Sequence, residues 1–216
     1  TVRDENTRKF LANHTDRHIA VIGDPALFLE TVPAIHPEDV QGEKLRIGIN
    51  IPFHGYEPTE WIKKYLKEFV IALKKLQQAT DCEFTYFVHY DAEVLVAALI
   101  RDQRLSLSVV NTDATQLPSE YAKMNLHIGG MLHSCIIASA VGTPCIGLAY
   151  DEKHIGFFDL MERGEYCLRA NPINFDTLLQ KSLEILQNAT HERMKINARR
   201  QELLAKFLQT LNSIAA

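Results

Sequence analysis

The stretch from Leu126 to Phe158, LHIGGMLHSCIIASAVGTPCIGLAYDEKHIGFF, constrains the fold more than any other part of the chain. Leu126 to Ile128 is a short apolar run halted by Gly129-Gly130, which predicts a buried strand followed by a tight turn. Leu132 to Val141 is apolar, rich in small residues and of helical length, suited to close packing against a sheet. Gly142 stops that helix, Pro144 opens the next run, and Cys145 to Ala149 predicts a second strand. In an open parallel sheet, ligands bind outside the carboxyl ends of the strands. Two polar clusters fall at such ends: Met131 to Ser134, and the charged loop predicted at Tyr150-Asp151-Glu152-Lys153.

The rest of the chain repeats the alternation. Asp4 to Ala12 predicts a helix, and His18 to Ile22 a buried strand ending in the turn Gly23-Asp24-Pro25. Thr31 to Glu43 reads as a loop. Leu45 to Ile51 predicts a strand ending at Pro52-Phe53-His54-Gly55. Pro58 to Gln78 carries Trp61, Ile62, Tyr65, Leu66, Phe69, Leu73 and Leu76 at helical period, hence one core-facing stripe. Glu83 to His89 predicts a strand, and Asp91 an N-cap for a helix over Ala92 to Arg101. Leu105 to Val110 predicts a strand, Pro118 to Lys123 a helix start, and Tyr166 to Leu168 a last strand. Asn174 or Asp176 caps a helix over Phe175 to Gln187. His191 to Ile214 predicts a long amphipathic helix with Met194, Ala198, Leu204, Phe207, Leu208 and Leu211 on one side. Alternating strands and helices predict an α/β, Rossmann-like parallel sheet with helices on both faces.

Composition excludes several function classes. A chain of 216 residues, 46% hydrophobic and 23% charged, buries a full core without disulfides or metals. Net charge −4 argues against a nucleic-acid binder, which would show a basic footprint. No run of about 18 apolar residues predicts a transmembrane helix, and no signal peptide is visible. Cys82, Cys135, Cys145 and Cys167 lie far apart in apolar segments, so they read as free buried thiols in a reducing, cytoplasmic compartment. His14 and His18 straddle a polar turn, and no metal-ligand spacing occurs elsewhere.

Each candidate functional residue carries two readings. His133 at a helix start, beside amides that attract anions, suits proton transfer; it reads equally as a capping or packing histidine. Ser134 either hydrogen-bonds an anion or satisfies its own turn. The Gly129-Gly130 pair permits close backbone approach to a ligand. Arg3, beside Asp4, either binds a carboxylate or phosphate or forms a surface ion pair. Tyr150, Asp151 and Lys153 form a cleft edge or a charged connector. His54 and His89 both fall at strand ends, where a single histidine is more often structural.

Several blocks together resemble the polysaccharide pyruvyl transferase family. They are Leu132-His133-Ser134, Gly142-Thr143-Pro144, Tyr150-Asp151-Glu152-Lys153 and Gly156-Phe157, preceded by Val2-Arg3-Asp4-Glu5-Asn6-Thr7 and Gly23-Asp24-Pro25-Ala26-Leu27. Met131 stands where that family usually carries an arginine expected to hold the anionic donor. The resemblance implies one Rossmann-like domain over residues 1–216, the C-terminal half of a GT-B-like enzyme whose N-terminal half lies outside this chain. It implies phosphoenolpyruvate as donor, a sugar diol of a glycan as acceptor, and no cofactor. His133 would be catalytic, with Arg3, Gly130, Leu132, Ser134, Tyr150 and Lys153 binding substrate. A glycosyltransferase holding a nucleotide sugar through Asp151 or Glu152 is the runner-up, and a non-catalytic binding domain of the same fold is the third reading. In the half-enzyme reading the apolar side of the last helix is left exposed or buried in a homo-oligomer.

Overall fold

The computed structural model describes residues 1–29, 44–51, 58–170 and 172–215. The strands are β1 (Leu45–Asn50), β2 (Cys82–Phe87), β3 (Leu107–Val110), β4 (Leu126–Gly129), β5 (Cys145–Ala149) and β6 (Cys167–Arg169). All pair in parallel, in the order β3-β2-β1-β4-β5-β6. Strands buried on both faces are rich in apolar residues. Ile47 and Ile49, Phe84 and Tyr86, Leu126 and Ile128, Ile146 and Leu148 are all fully buried.

Among the described residues, eight α-helices surround this sheet: α1 (Glu5–Ala12), α2 (Thr59–Thr80), α3 (Glu93–Asp102), α4 (Leu117–Ala122), α5 (Leu132–Ala140), α6 (Glu152–Leu160), α7 (Phe175–Gln187) and α8 (Ala189–Ala215). The α2 stripe behaves as its period requires: Ile62, Tyr65, Leu66, Phe69, Leu73 and Leu76 are buried and Trp61 packs at their margin. Two glycines allow helices to press against the sheet. A Cβ on Gly129 would stand 2.5 Å from Ser134 Oγ and 2.6 Å from Cys135 Sγ of α5. One on Gly147 would stand 2.4 Å from the Phe158 ring of α6.

Four sequence expectations are corrected. His18 to Ile22 is not a strand; it makes one isolated bridge, Val2 with Val21. The ladder stops there because the chain beyond Val2 turns into α1. Asp91 does not cap α3. The N-cap position is Ala92, with no side-chain cap bond, and the buried Glu93 instead ties down the turn before the helix, its carboxylate accepting from the backbone N–H groups of His89 (2.5 Å) and Tyr90 (3.2 Å). The charged segment after β5 is not a loop beyond Asp151, whose side chain caps α6 by accepting from the N–H groups of Lys153 and His154. On α8, Met194 is exposed, while Glu192, Arg193, Ile196 and Leu203 face inward. Charged residues go inside here because each has a partner. Glu192 pairs with buried Arg163, and Arg193 donates to the carbonyls of Met124 and Gly142. The expected loop over Thr31 to Glu43, and His54, lie outside the described residues.

Candidate active site

In this strand order the chain leaves β1 toward β2 on one side, while β4 lies on the other. The crevice at the carboxyl ends of β1 and β4 is therefore the switch point where such sheets bind ligands. Asn50, the last residue of β1, ties the crevice together from within. Its backbone carbonyl accepts from Gly130 N–H (2.8 Å) and its Oδ1 from Met131 N–H (2.9 Å). Its Nδ2 donates to the Phe87 carbonyl and to Glu93 Oε1, both at 3.0 Å. Asn50 and Glu93 are fully buried, so the knot joins the ends of β1, β2 and β4 with polar groups that cannot turn to water.

That knot sets the start of α5. Met131 occupies the N-cap position without a side-chain cap. Among the described residues, the N–H groups of Leu132 and His133 have no protein partner. An α-helix start with open amides carries partial positive charge and accepts an anion. It opens on a cleft of about 310 Å³ lined by Arg3, His89, Tyr90, Met131, Leu132, His133, Tyr150, Asp151 and Lys153.

Two distant segments bring the charges to this cleft. Asp4 caps α1 through Thr7 N–H (2.7 Å) and its hydroxyl (2.9 Å), which fixes Arg3 beside it. Gly156 of α6 makes room: a Cβ there would lie 3.0 Å from Asp4 Cβ. The Arg3 guanidinium lies 3.8 Å from Asp24 Oδ2, and the exposed His133 ring lies 3.9 Å from the same oxygen. Asp24 thus stands between arginine and histidine, held by its other oxygen on Ala26 N–H (3.0 Å). Lys153 enters from the first turn of α6. His154 locks that turn to the Gly-Gly step, with Nδ1 3.0 Å from Asp151 Oδ1 and Nε2 3.1 Å from the Gly130 carbonyl. Burial pushes the His154 pKa down, against the pull of Asp151. Tyr150 packs edge-on against His154, ring centroids 4.7 Å apart.

The fold brings Arg3, Leu132, His133, Tyr150 and Lys153 together at one cleft, which His89 also lines. Two expected residues it turns away. Ser134 is fully buried, donates to the Met131 carbonyl (2.7 Å) and lies 2.9 Å from His127 Nε2, so it closes its own turn. Gly130 has its N–H on Asn50 and its carbonyl on His154, so it shapes the turn and offers no free amide. Sequence reasoning missed Asn50, Glu93 and His154. Glu93 carried a signal: it shares a helical face with the buried Val96, Ala97 and Ile100. Among the described residues, no group of three or more His, Cys, Asp or Glu is arranged to hold a metal ion, and no helix is long and apolar enough to cross a membrane.

The family model described as polysaccharide pyruvyl transferase matches residues 1–152. No curated protein matches the sequence. Among solved structures, TarM is similar over 98% of this chain and 42% of its own, at 18% identity and TM-score 0.59. The GtfA/B complex is similar over 99% and 44%, at 14% identity and TM-score 0.60. A trehalose-6-phosphate synthase is similar over 99% and 60%, at 11% identity and TM-score 0.56. At these identities the likeness is one of fold alone, the GT-B fold. The chain spans less than half the length of TarM and of the GtfA/B structure.

Proposed function

The chain belongs to the polysaccharide pyruvyl transferase family, and from that premise we propose that its cleft transfers the pyruvyl group of phosphoenolpyruvate to a diol of a glycan. The observation that carries this reading is the meeting of Arg3, Lys153, the His133 ring and the open amides of Leu132 and His133 at one strand-end cleft. The donor bears a phosphate and a carboxylate within a few ångströms of each other. Two cations and a helix start match that charge.

In this reading His133 gives a proton to the methylene carbon of the donor, creating a cation-like centre at the neighbouring carbon. Asp24 Oδ2 stands 3.9 Å from the ring, between it and Arg3. The first hydroxyl of the diol adds to that carbon, the bond to the phosphate oxygen breaks, and the second hydroxyl adds to close the ketal. The donor methylene gains one proton, the diol loses two, and one of those leaves with phosphate. Met131 replaces the family's usual arginine; it is buried and its N–H is held by Asn50. Arg3 and Lys153 then carry the anion's charge.

The GT-B neighbours favour a nucleotide-sugar glycosyltransferase as the second reading. Against it, Asp151 already caps α6 and holds His154, which leaves it poorly placed to hold a ribose. The GT-B neighbours exceed twice this chain's length in two cases, so we assign the acceptor's wall of the cleft to a second domain beyond this chain.

The test uses the full-length protein, titrated with phosphoenolpyruvate and with a nucleotide sugar, and assayed for phosphate release with methyl glycosides carrying 4,6-diols. Phosphoenolpyruvate binding and ketal formation are expected. His133→Ala should cut turnover by roughly 10²–10⁴-fold without loss of fold, the scale of lost acid–base work. Binding of the nucleotide sugar alone would overturn the assignment in favour of the second reading.

A further inference from the structure

His154 lies in the first turn of α6, fully buried, with its ring between two groups that can only accept. Its Nδ1 stands 3.0 Å from Asp151 Oδ1, an oxygen that already accepts from the backbone N–H groups of Lys153 (3.0 Å) and His154 (3.2 Å). Its Nε2 stands 3.1 Å from the Gly130 carbonyl. A neutral imidazole has one N–H, so it makes one of these bonds while its other nitrogen sets a lone pair against an oxygen. Only the imidazolium makes both.

The neutral ring keeps its proton on Nδ1, because a bond to a carboxylate is the stronger of the two. Nε2 then faces the Gly130 carbonyl bare. Burial lowers the ring's pKa, with Asp151 raising it and Lys153 lowering it, so without a bound anion the ring is neutral at pH 7. The Gly130–Met131 peptide unit is thus held at its N–H by Asn50 Oδ1 (2.9 Å) and meets, at its carbonyl, a nitrogen that bonds only when protonated. That peptide leads straight into the open amides of Leu132 and His133. The charges acting on the ring from its own helix are those of Asp151 and Lys153. From the other elements Gly130 presents its carbonyl and Tyr150 its ring edge, while Arg3 and His133 line the same cleft as Asp151 and Lys153.

We propose that His154 is a positioning residue of the donor site: its ring takes up a proton when an anion docks at the start of α5, and the new Nε2–H bond to the Gly130 carbonyl holds the α5 amides on the ligand. The proposal rests on the anion site of the pyruvyl-transfer reading, though not on which anion fills it. One proton passes from solvent to Nε2, and no other bond changes. Negative charge at the helix start favours the charged ring. By linkage the charged ring favours the anion by the same factor. Anion affinity should therefore fall as pH rises through the ring's titration, by up to about tenfold per pH unit where a whole proton is taken up.

The experiment titrates the full-length protein and its His154→Gln variant with phosphoenolpyruvate and, separately, with sulfate, whose charge is fixed, from about pH 6 to pH 8. The nitrogen NMR signals of the His154 ring are recorded in the parent with and without each anion. On saturation with an anion they should pass from the unlike pair of a neutral ring to the near-equal pair of an imidazolium. His154→Gln should bind the anions with a pH slope shallower by up to about tenfold per pH unit. The ionisation of phosphoenolpyruvate itself is common to both proteins and cancels in the comparison. A ring that stays neutral at saturation, or that is already charged at pH 7 without an anion, overturns the proposal, as does an identical slope in His154→Gln. Sulfate binding with proton uptake but without phosphoenolpyruvate binding supports the role of His154 and overturns the donor assignment alone. A parent that binds neither anion overturns both. Should His154→Gln fail to fold, the parent's ring signals, assigned through the His154 backbone, decide by themselves.

Discussion

Asn50 shows how one side chain can set the geometry of a site it does not face. It satisfies a carbonyl of β2, a carboxylate of α3 and an amide at the start of α5, all away from water. Asn50→Ala removes the bonds that Asn50 makes to Met131 N–H and to the Phe87 carbonyl in a buried place. Such orphaned groups cost about 1–3 kcal/mol each, partly relieved by relaxation. A loss of roughly 2–4 kcal/mol in urea unfolding is expected. Phosphoenolpyruvate affinity should weaken in the same variant, because the α5 amides would lose their fixed direction. A loss below about 0.5 kcal/mol would show that the knot contributes little to holding the strand ends.

At the scale of elements, α6 illustrates how a cap becomes part of a site. Asp151 accepts from two backbone amides at the helix start and from the ring of His154, and that ring reaches the Gly130 carbonyl. The helix therefore begins where it does because of Asp151, and Lys153 is aimed by that start. Asp151→Ala should lower stability by about 1–2 kcal/mol, the scale of a lost N-cap. It should also weaken phosphoenolpyruvate binding, whereas Asp151→Asn, which keeps an accepting oxygen, should retain most of both. Thermal unfolding and a donor titration check the pair. Equal losses in the two variants would point to the charge of Asp151 and not to its cap.

The whole molecule should lose stability in mild acid. His127 is fully buried, and burial, with a smaller contribution from His89, lowers its pKa to about 3; that of His89 falls to about 4. A histidine whose folded pKa lies below its unfolded value of 6.5 binds a proton more readily once unfolded. Its contribution is complete above pH 6.5 and is lost as pH falls toward the folded value. At pH 5 the loss comes to roughly 2 kcal/mol for each of the two. Unfolding free energy measured from pH 7 to pH 5 should fall accordingly, and His127→Gln should flatten the slope by about half. A slope unchanged by that substitution would assign the acid sensitivity elsewhere.

Much of this architecture was legible in the chain itself. Short segments rich in apolar residues, starting at Leu45, Glu83, Leu126 and Cys145, announce the strands, and the period of α2 names its inward stripe before any partner is known. The gathering of Arg3 and Lys153 around His133 was legible only through motif order, since those residues are 150 positions apart in the extreme. Tertiary structure decided the rest. Ser134 faces inward because its hydroxyl finds the Met131 carbonyl and His127 there. Met194 faces outward because Glu192 and Arg193 have partners waiting inside. Hydrophobic period is a property of one segment and can be read along it. The burial of a polar group depends on a partner elsewhere in the chain, and only the folded molecule brings that partner within 3 Å.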